Sequence, residues 1–235
     1  RVFVGYNDLP PHLVQALIAT EDVRFTEHSG IDARALVRAI VKTGLLRQAS
    51  SGGGSTLSQQ LAKQVFTEVR AKNKFERMMQ NPIEWVIAVQ LERYYTKEEI
   101  LTLYLNKLDF LYNAIGIKMA SNTYFSKEPK DLSILEAATL VGMCKNPSLY
   151  NPRKFSERSL GRRNVVLGQM VKAGFLLEAE ADSLKNEPLE LKFRRVDHKE
   201  GPAPYFREYL RGVLSAKKPD KKDYRGWQMQ QYYED

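Results

Sequence analysis

Three clusters of side chains have the types and spacing for chemistry. The first, Glu21-Asp22-Val23-Arg24-Phe25-Thr26-Glu27-His28-Ser29-Gly30, crowds adjacent acids, an aromatic and a histidine into the connection between two helical stretches. Glu21 follows the apolar Leu17-Ile18-Ala19. Its carboxylate lies either on a solvated helix end or at the mouth of a cleft, where it could act as a general base or acid. His28 has no second histidine at helical spacing, which argues against a zinc site. The second cluster runs Gly52-Gly53-Gly54-Ser55-Thr56-Leu57-Ser58-Gln59-Gln60, with Lys63 one turn later. Glycines leading into a helix start expose backbone N–H groups, and the helix dipole adds positive potential, a natural seat for an anion. The other reading is a flexible loop before an ordinary capped helix. No Gly-Lys-Ser/Thr ending and no preceding strand pattern are present, so a phosphate fits and ATP or GTP does not. The third is Glu84, entering the apolar run Trp85 to Leu91, either turned to solvent or set in a pocket. Upstream of it Arg70, Lys72, Lys74 and Arg77 form a basic patch suited to a diphosphate.

Helical periodicity supplies the elements that must position these groups. Pro10 and Pro11 can open a helix through Leu13, Leu17 and Ile18. A basic amphipathic helix is expected from Asp32 to about Leu46, with Arg34, Arg38 and Lys42 along one face. Thr56 and Gln59 have capping-box spacing. Trp85 to Leu91 reads as a helix buried all round, and Thr96 caps the next, with Glu98 and Glu99 in its first turn. Further helices are expected over Ala114 to Tyr124, Ser133 to Lys145 (opened by Asp131 or Ser133) and Ser156 to Ala173, closed by Gly174. An alternating strand pattern emerges only at Leu189 to Phe193. Gly201, Pro202 and Pro204, followed by a tail rich in Lys, Asp and Tyr, place a domain boundary near 195.

Composition narrows the partners. The 235 residues can bury a substantial core, and the formal net charge of +8 favours an anionic partner. Cys144 stands alone, which excludes an internal disulfide framework and a Cys-rich metal site. No apolar run approaches the roughly 20 residues of a membrane span. The cations are spread without a helix-turn-helix, zinc-finger or RNP pattern, so nucleic acid is not an expected partner.

Taken together, the motifs resemble the peptidoglycan glycosyltransferase domain of class A penicillin-binding proteins. Glu21, Asp22, Phe25, His28 and Gly30 match the first motif, Glu-Asp-x-x-Phe-x-x-His-x-Gly. Gly53, Gly54, Ser55, Thr56, Gln59 and Gln60 match the second, with Ser58 for the usual threonine. Lys97, Ile100, Leu101, Tyr104 and Asn106 match the fourth; Arg162, Val166, Leu167 and Met170 match the fifth. The third departs: Gln80-Asn81-Pro82-Ile83-Glu84 keeps the glutamate and loses two cations, leaving Arg77 or Lys74 as neighbours to replace them.

The resemblance implies a mainly α fold, a lysozyme-like helical large lobe with a smaller membrane-associated jaw lobe, over residues 1–195. Residues 196–235 resemble the linker to a transpeptidase domain. The implied reaction polymerises lipid II into β-1,4-linked glycan with inversion and release of undecaprenyl diphosphate. Glu21 is the implied general base, with Glu84 as the second catalytic acid. Asp22, Phe25, His28, Ser55, Thr56, Gln59, Gln60, Lys63, Arg77 and Asn106 are the implied substrate-binding residues. A divalent cation, magnesium or manganese, is the one cofactor the resemblance suggests, without a ligand set to hold it and with no organic cofactor. Implied partners are lipid II, the growing glycan strand, the membrane surface and the cell-wall synthesis machinery. The implied place is the outer, periplasmic face of the bacterial cytoplasmic membrane, with an anchor outside this chain. The basic helix would lie on anionic lipid, each cation contributing about 1 kcal/mol. A lysozyme-like enzyme that cleaves glycan is the main rival, but it has no need of a glycine-rich anion seat followed by Lys63. A scaffold that has lost activity through the altered third motif is the non-enzymatic alternative. The complete set of Ser-x-x-Lys, Ser-x-Asn and Lys-Thr-Gly for penicillin chemistry is not present.

Overall fold

Helix starts in this chain are set by side chains within three or four residues. In the computed structural model, which describes residues 2–40, 54–66, 74–195 and 203–215 (only the backbone at 39, 40, 74–81 and 204), α1 (Pro11–Glu21) opens on Pro11. A proline there forfeits no helical hydrogen bond. Helix α2 (Ala33–Ile40) starts where Asp32 Oδ1 accepts the Ala35 N–H at 2.9 Å. Arg24 holds the same carboxylate at 2.6 Å. Burial alone would raise the Asp32 pKa, but the Ala35 N–H and the Arg24 guanidinium outweigh it and hold the carboxyl below its ordinary value. Helix α3 (Leu57–Phe66) follows the expected capping box: the Thr56 N–H donates to Gln59 Oε1 and the Gln59 N–H to Thr56 Oγ1. Reciprocal boxes also open α5 (Lys97–Lys107), through Thr96 and Glu99, and α7 (Ile134–Cys144), through Ser133 and Glu136. Ser133, not Asp131, is therefore the cap of α7.

The remaining helices of the first unit are α4 (Lys74–Tyr94), α6 (Ile117–Phe125), α8 (Ser156–Lys172) and α9 (Glu178–Lys185). Gly174, with φ +76°, ends α8 as expected, and the Phe175 N–H returns to the Met170 carbonyl. Helix α1 packs on α7 and α8, and α3 packs on α4 and α5. Leu13, Leu17, Ile100, Tyr104, Leu140, Val141 and Leu167 fill the core between them. The fold is mainly helical, with no strand among the described residues beyond an isolated bridge between Asp109 and Ile115.

Three expectations change, and a fourth is described only in part. Helix α6 begins at Ile117 rather than Ala114, because Gly116 at φ +86° turns its N–H back to the Leu108 carbonyl, 2.7 Å away. The helix expected over Asp32 to Leu46 is described as far as Ile40; Lys42, with Gly52, Gly53, Arg70 and Lys72, lies outside the described residues. Trp85 to Leu91 is not enclosed: Val86 is 62% exposed and neighbouring Ile83 58%, and Ala88 is the residue of the run that is fully buried. Leu189 to Phe193 is not a strand. Leu191 and Phe193 do pack on the core, but the Lys192 and Arg194 N–H groups donate to the carbonyls of Tyr124 and Thr123 at the end of α6. The period of two is real, and its partner is a helix end.

The chain divides into units Arg1–Arg195 and Val196–Asp235; α10 (Pro204–Ser215) is the element described in the second. No described helix is long and apolar enough to cross a membrane.

Gly30 joins the first motif to α4 at close quarters. It has φ +96°, and a Cβ there would lie 2.8 Å from backbone atoms of Ala88 and Val89. Its carbonyl also accepts the Thr56 hydroxyl at 2.6 Å. Gly30→Ala is expected to cost about 3 kcal/mol in urea unfolding, because neither the left-handed backbone nor the α4 main chain can yield cheaply.

Candidate active site

Glu21 is the last residue of α1, and Asp22 ends that helix with its N–H on the Ile18 carbonyl. The two carboxylates part there. Glu21 Oε2 accepts from Gln60 Nε2 of α3 at 3.1 Å, and Arg162 Nη2 of α8 lies 3.7 Å from Oε1. Asp22 turns inward, where its oxygens accept from His28 Nε2 at 3.0 and 3.2 Å and Oδ2 accepts the Leu57 N–H at 3.0 Å.

Asp22 thereby corrects the expected anion seat. Of the α3 N-terminal donors, the Leu57 N–H is taken by Asp22 and the Gln59 N–H by the capping box. The helix start binds an anion, and that anion is the protein's own carboxylate. Those two N–H groups are therefore not free for a substrate phosphate, and side-chain cations stand nearby.

Those cations line a cavity of about 960 Å³, into which Glu21, Glu84, Lys63 and Arg38 all face. Lys145, Arg162 and Lys172 add positive charge from α7 and α8. The wall also includes Asp22, Ser55, Thr56, Gln59 and Gln60. Thr20 Oγ1, Gln64 Oε1 and Arg162 Nε, at the same wall, are buried polar atoms whose hydrogen-bonding capacity is not met within the protein. Cys144 lines it too. Burial pushes its thiol pKa well up and the Glu21 carboxylate adds to this, so it stays a neutral thiol.

Three predicted substrate contacts are not at the cavity wall. Phe25 is fully buried. His28 sits in a buried polar network. Glu92 accepts the Ser58 hydroxyl at 2.5 Å, pairs with Lys97 at 2.5 Å and lies 3.9 Å from His28 Nδ1. Lys97 Nζ also donates to the His28 carbonyl and stands 4.3 Å over the Phe25 ring. Asn106 clamps the N-terminal segment, accepting the Val4 N–H at 3.0 Å and donating to the Val4 carbonyl at 2.9 Å. In the structure these three side chains hold the elements of the site together. The side chain of Arg77, like those of Lys74, Gln80 and Asn81, lies outside the described residues.

Glu92, Tyr104, Gln64, Lys145 and Lys172 escaped the reading of the sequence as site residues. Arg162 was visible as a motif match, without sign that it would face Glu21. Gly142 of α7 makes room for it: a Cβ there would lie 3.1 Å from Arg162 Cγ. For a resident divalent cation the donors do not fit. Among the described residues no three His, Cys, Asp or Glu side chains gather, and Asp22 is already committed on both oxygens.

Residues 1–171 match the family model described as Transglycosylase. The chain is 36% identical to penicillin-binding protein 1F of Bacillus subtilis over 90% of its own length and 28% of that protein's. It is 36% identical to penicillin-binding protein 1A of Escherichia coli, over 90% of this chain and 24% of the relative. The crystal structure of penicillin-binding protein 1A from Haemophilus influenzae superposes with a TM-score of 0.51 at 25% identity, covering 91% of this chain and 21% of that one. The chain thus spans about a quarter of the length of these relatives. With a match across most of its length and both carboxylates of the motifs on one cavity, the chain belongs to the transglycosylase family and carries a glycosyltransferase domain.

Proposed function

We propose that this domain polymerises lipid II into β-1,4-linked glycan at the outer face of the bacterial cytoplasmic membrane. The observation that supports this most is the Glu21 carboxylate, held by Gln60 and Arg162 at the wall of a cavity that also presents Lys63 and Arg38. Glu21 takes the proton from the 4-hydroxyl of the acceptor sugar as that oxygen forms a bond to the anomeric carbon of the donor. The bond from that carbon to the diphosphate breaks on the opposite face. Its electron pair leaves on the undecaprenyl diphosphate, so an α-linked donor becomes a β linkage. The cavity cations stabilise the charge that develops on the leaving group, in a recess where water screens it less than in bulk. Glu84, across the cavity on α4, orients Lys63 or an acceptor hydroxyl.

The jaw lobe would rest on anionic lipid through Arg34 and Arg38 of α2 with Lys42 beyond it. Exposed Val37, Phe66, Ile83 and Val86 supply apolar surface on α2, α3 and α4. Incubating the protein with lipid II and resolving the products on a gel tests the reading. Long glycan with release of diphosphate lipid is expected. Shortening of pre-formed glycan would mean a cleaving enzyme, and neither product a scaffold.

A further inference from the structure

Behind the base stands a residue that touches neither the cavity nor Glu21. Tyr104 of α5 is 0% exposed, and its hydroxyl donates to Gln60 Oε1 at 3.0 Å. Gln60 Nε2 in turn donates to Glu21 Oε2 at 3.1 Å. Burial drives the Tyr104 pKa well above its ordinary value, helped by Cys144 and by the Glu21 carboxylate, so this phenol remains an O–H donor throughout the working pH range.

A glutamine amide has a donating and an accepting end, and a half-turn of its last torsion exchanges them. With its oxygen accepting from the Tyr104 hydroxyl, the amide keeps its NH2 group towards Glu21, an orientation that the acceptor-only carboxylate and the phenol O–H favour together. Without that hydroxyl the amide could turn and present its oxygen, which repels a carboxylate and welcomes a carboxylic acid. The other groups facing Glu21 cannot perform this task. Arg162 from α8 stays cationic, Cys144 from α7 is a neutral thiol, and Asp22 is turned inward onto His28 and Leu57.

We propose that Tyr104 is a positioning residue for the base, acting through Gln60 to keep an N–H aimed at Glu21 so that the carboxylate returns to its ionised form after each transfer. The proposal rests on Glu21 being the base. The phenol itself transfers no proton; it sets the direction of a two-bond chain that runs from the core to the cavity wall.

The test follows Glu21 directly. In protein labelled with 13C-glutamate, the Glu21 carboxyl resonance is identified as the one lost in Glu21→Gln and is titrated in Tyr104→Phe, Gln60→Ala and the double variant. Tyr104→Phe is expected to move the midpoint upward by about half a pH unit, since a hydrogen bond to the charged form has been loosened. Gln60→Ala should move it at least as far, and the double variant no further than Gln60→Ala. The acid limb of the polymerisation rate should move with the titration. Site-specific 3-fluorotyrosine at position 104 keeps the ring and strengthens the donor. It should shift the midpoint down, and it serves if Tyr104→Phe does not fold. An unmoved midpoint, or shifts that add in the double variant, would reduce Tyr104 to a packing residue and overturn the proposal. Undiminished polymer from Glu21→Gln would instead remove the base assignment, while the titration would still report whether Tyr104 orients Gln60.

Discussion

Glu21→Gln is expected to lower the initial rate of glycan formation from lipid II by about a thousandfold while leaving the thermal melt nearly unchanged. Glutamine has the shape of glutamate, and its oxygen can still accept from Gln60 Nε2, which now reaches Glu21 at 3.1 Å. What it cannot do is hold the proton that the acceptor hydroxyl gives up. Arg162, 3.7 Å from Oε1, loses an ionic partner but keeps its packing over Tyr150, 5.7 Å from the ring centre. Loss of rate with an intact fold separates a chemical role for this carboxylate from a structural one. A variant within tenfold of wild type would show that the proton goes elsewhere.

The largest expected effect on stability is remote from the cavity. Arg163 of α8 is 0% exposed. Its Nη2 donates to the carbonyls of Leu184, Lys185 and Glu187, the last at 2.7 Å, and its Nη1 to that of Pro188. The guanidinium thus satisfies the carbonyls with which α9 ends, and its positive charge complements that end of the helix dipole. Arg163→Met keeps the length of the side chain and removes every donor. Part-buried carbonyls would then lose their partner, each at less than the roughly 1–3 kcal/mol of a fully buried group because water can reach some of them. We expect a net loss of about 3 kcal/mol, or roughly 10 °C in the midpoint of thermal unfolding. Circular dichroism melts of the two proteins decide it, and a shift below 2 °C would contradict the capping role.

Arg162 and Arg163 show where reading the sequence succeeds and where it stops. Side by side in one helix they look alike, yet one points at the Glu21 carboxylate and the other ties down the next helix. The motif spacing singles out Arg162, but neither role is visible locally, because Glu21 and the carbonyls at the end of α9 both come from distant segments. The reverse holds for Thr56, Thr96 and Ser133. Each finds its partner three residues ahead, so Thr56 and Thr96 were legible as caps, and Ser133 as one of two candidates. Glu21, Lys63 and Glu84 were legible as chemistry through their motifs, and the cavity joins them. Phe25, His28 and Asn106 lie away from the cavity wall for a physical reason: a motif records that a side chain matters to a site, and a clamp behind the wall matters as much as a contact. The run Trp85 to Leu91 was misjudged similarly. Apolarity states that a surface is costly in water, without saying whether protein covers it.

The Asp22 carboxylate at the start of α3 bears on turnover. A rigid cradle of backbone donors would grip a diphosphate as firmly before its bond to the sugar breaks as afterwards, and such uniform binding slows departure without helping the chemical step. With two of those donors taken from within, the proposed leaving group would rely more on long lysine and arginine side chains, whose hold weakens as counterions exchange. For the proposed polymerisation, in which one lipid diphosphate departs for every disaccharide added, a grip that can be let go is as useful as the charge it supplies.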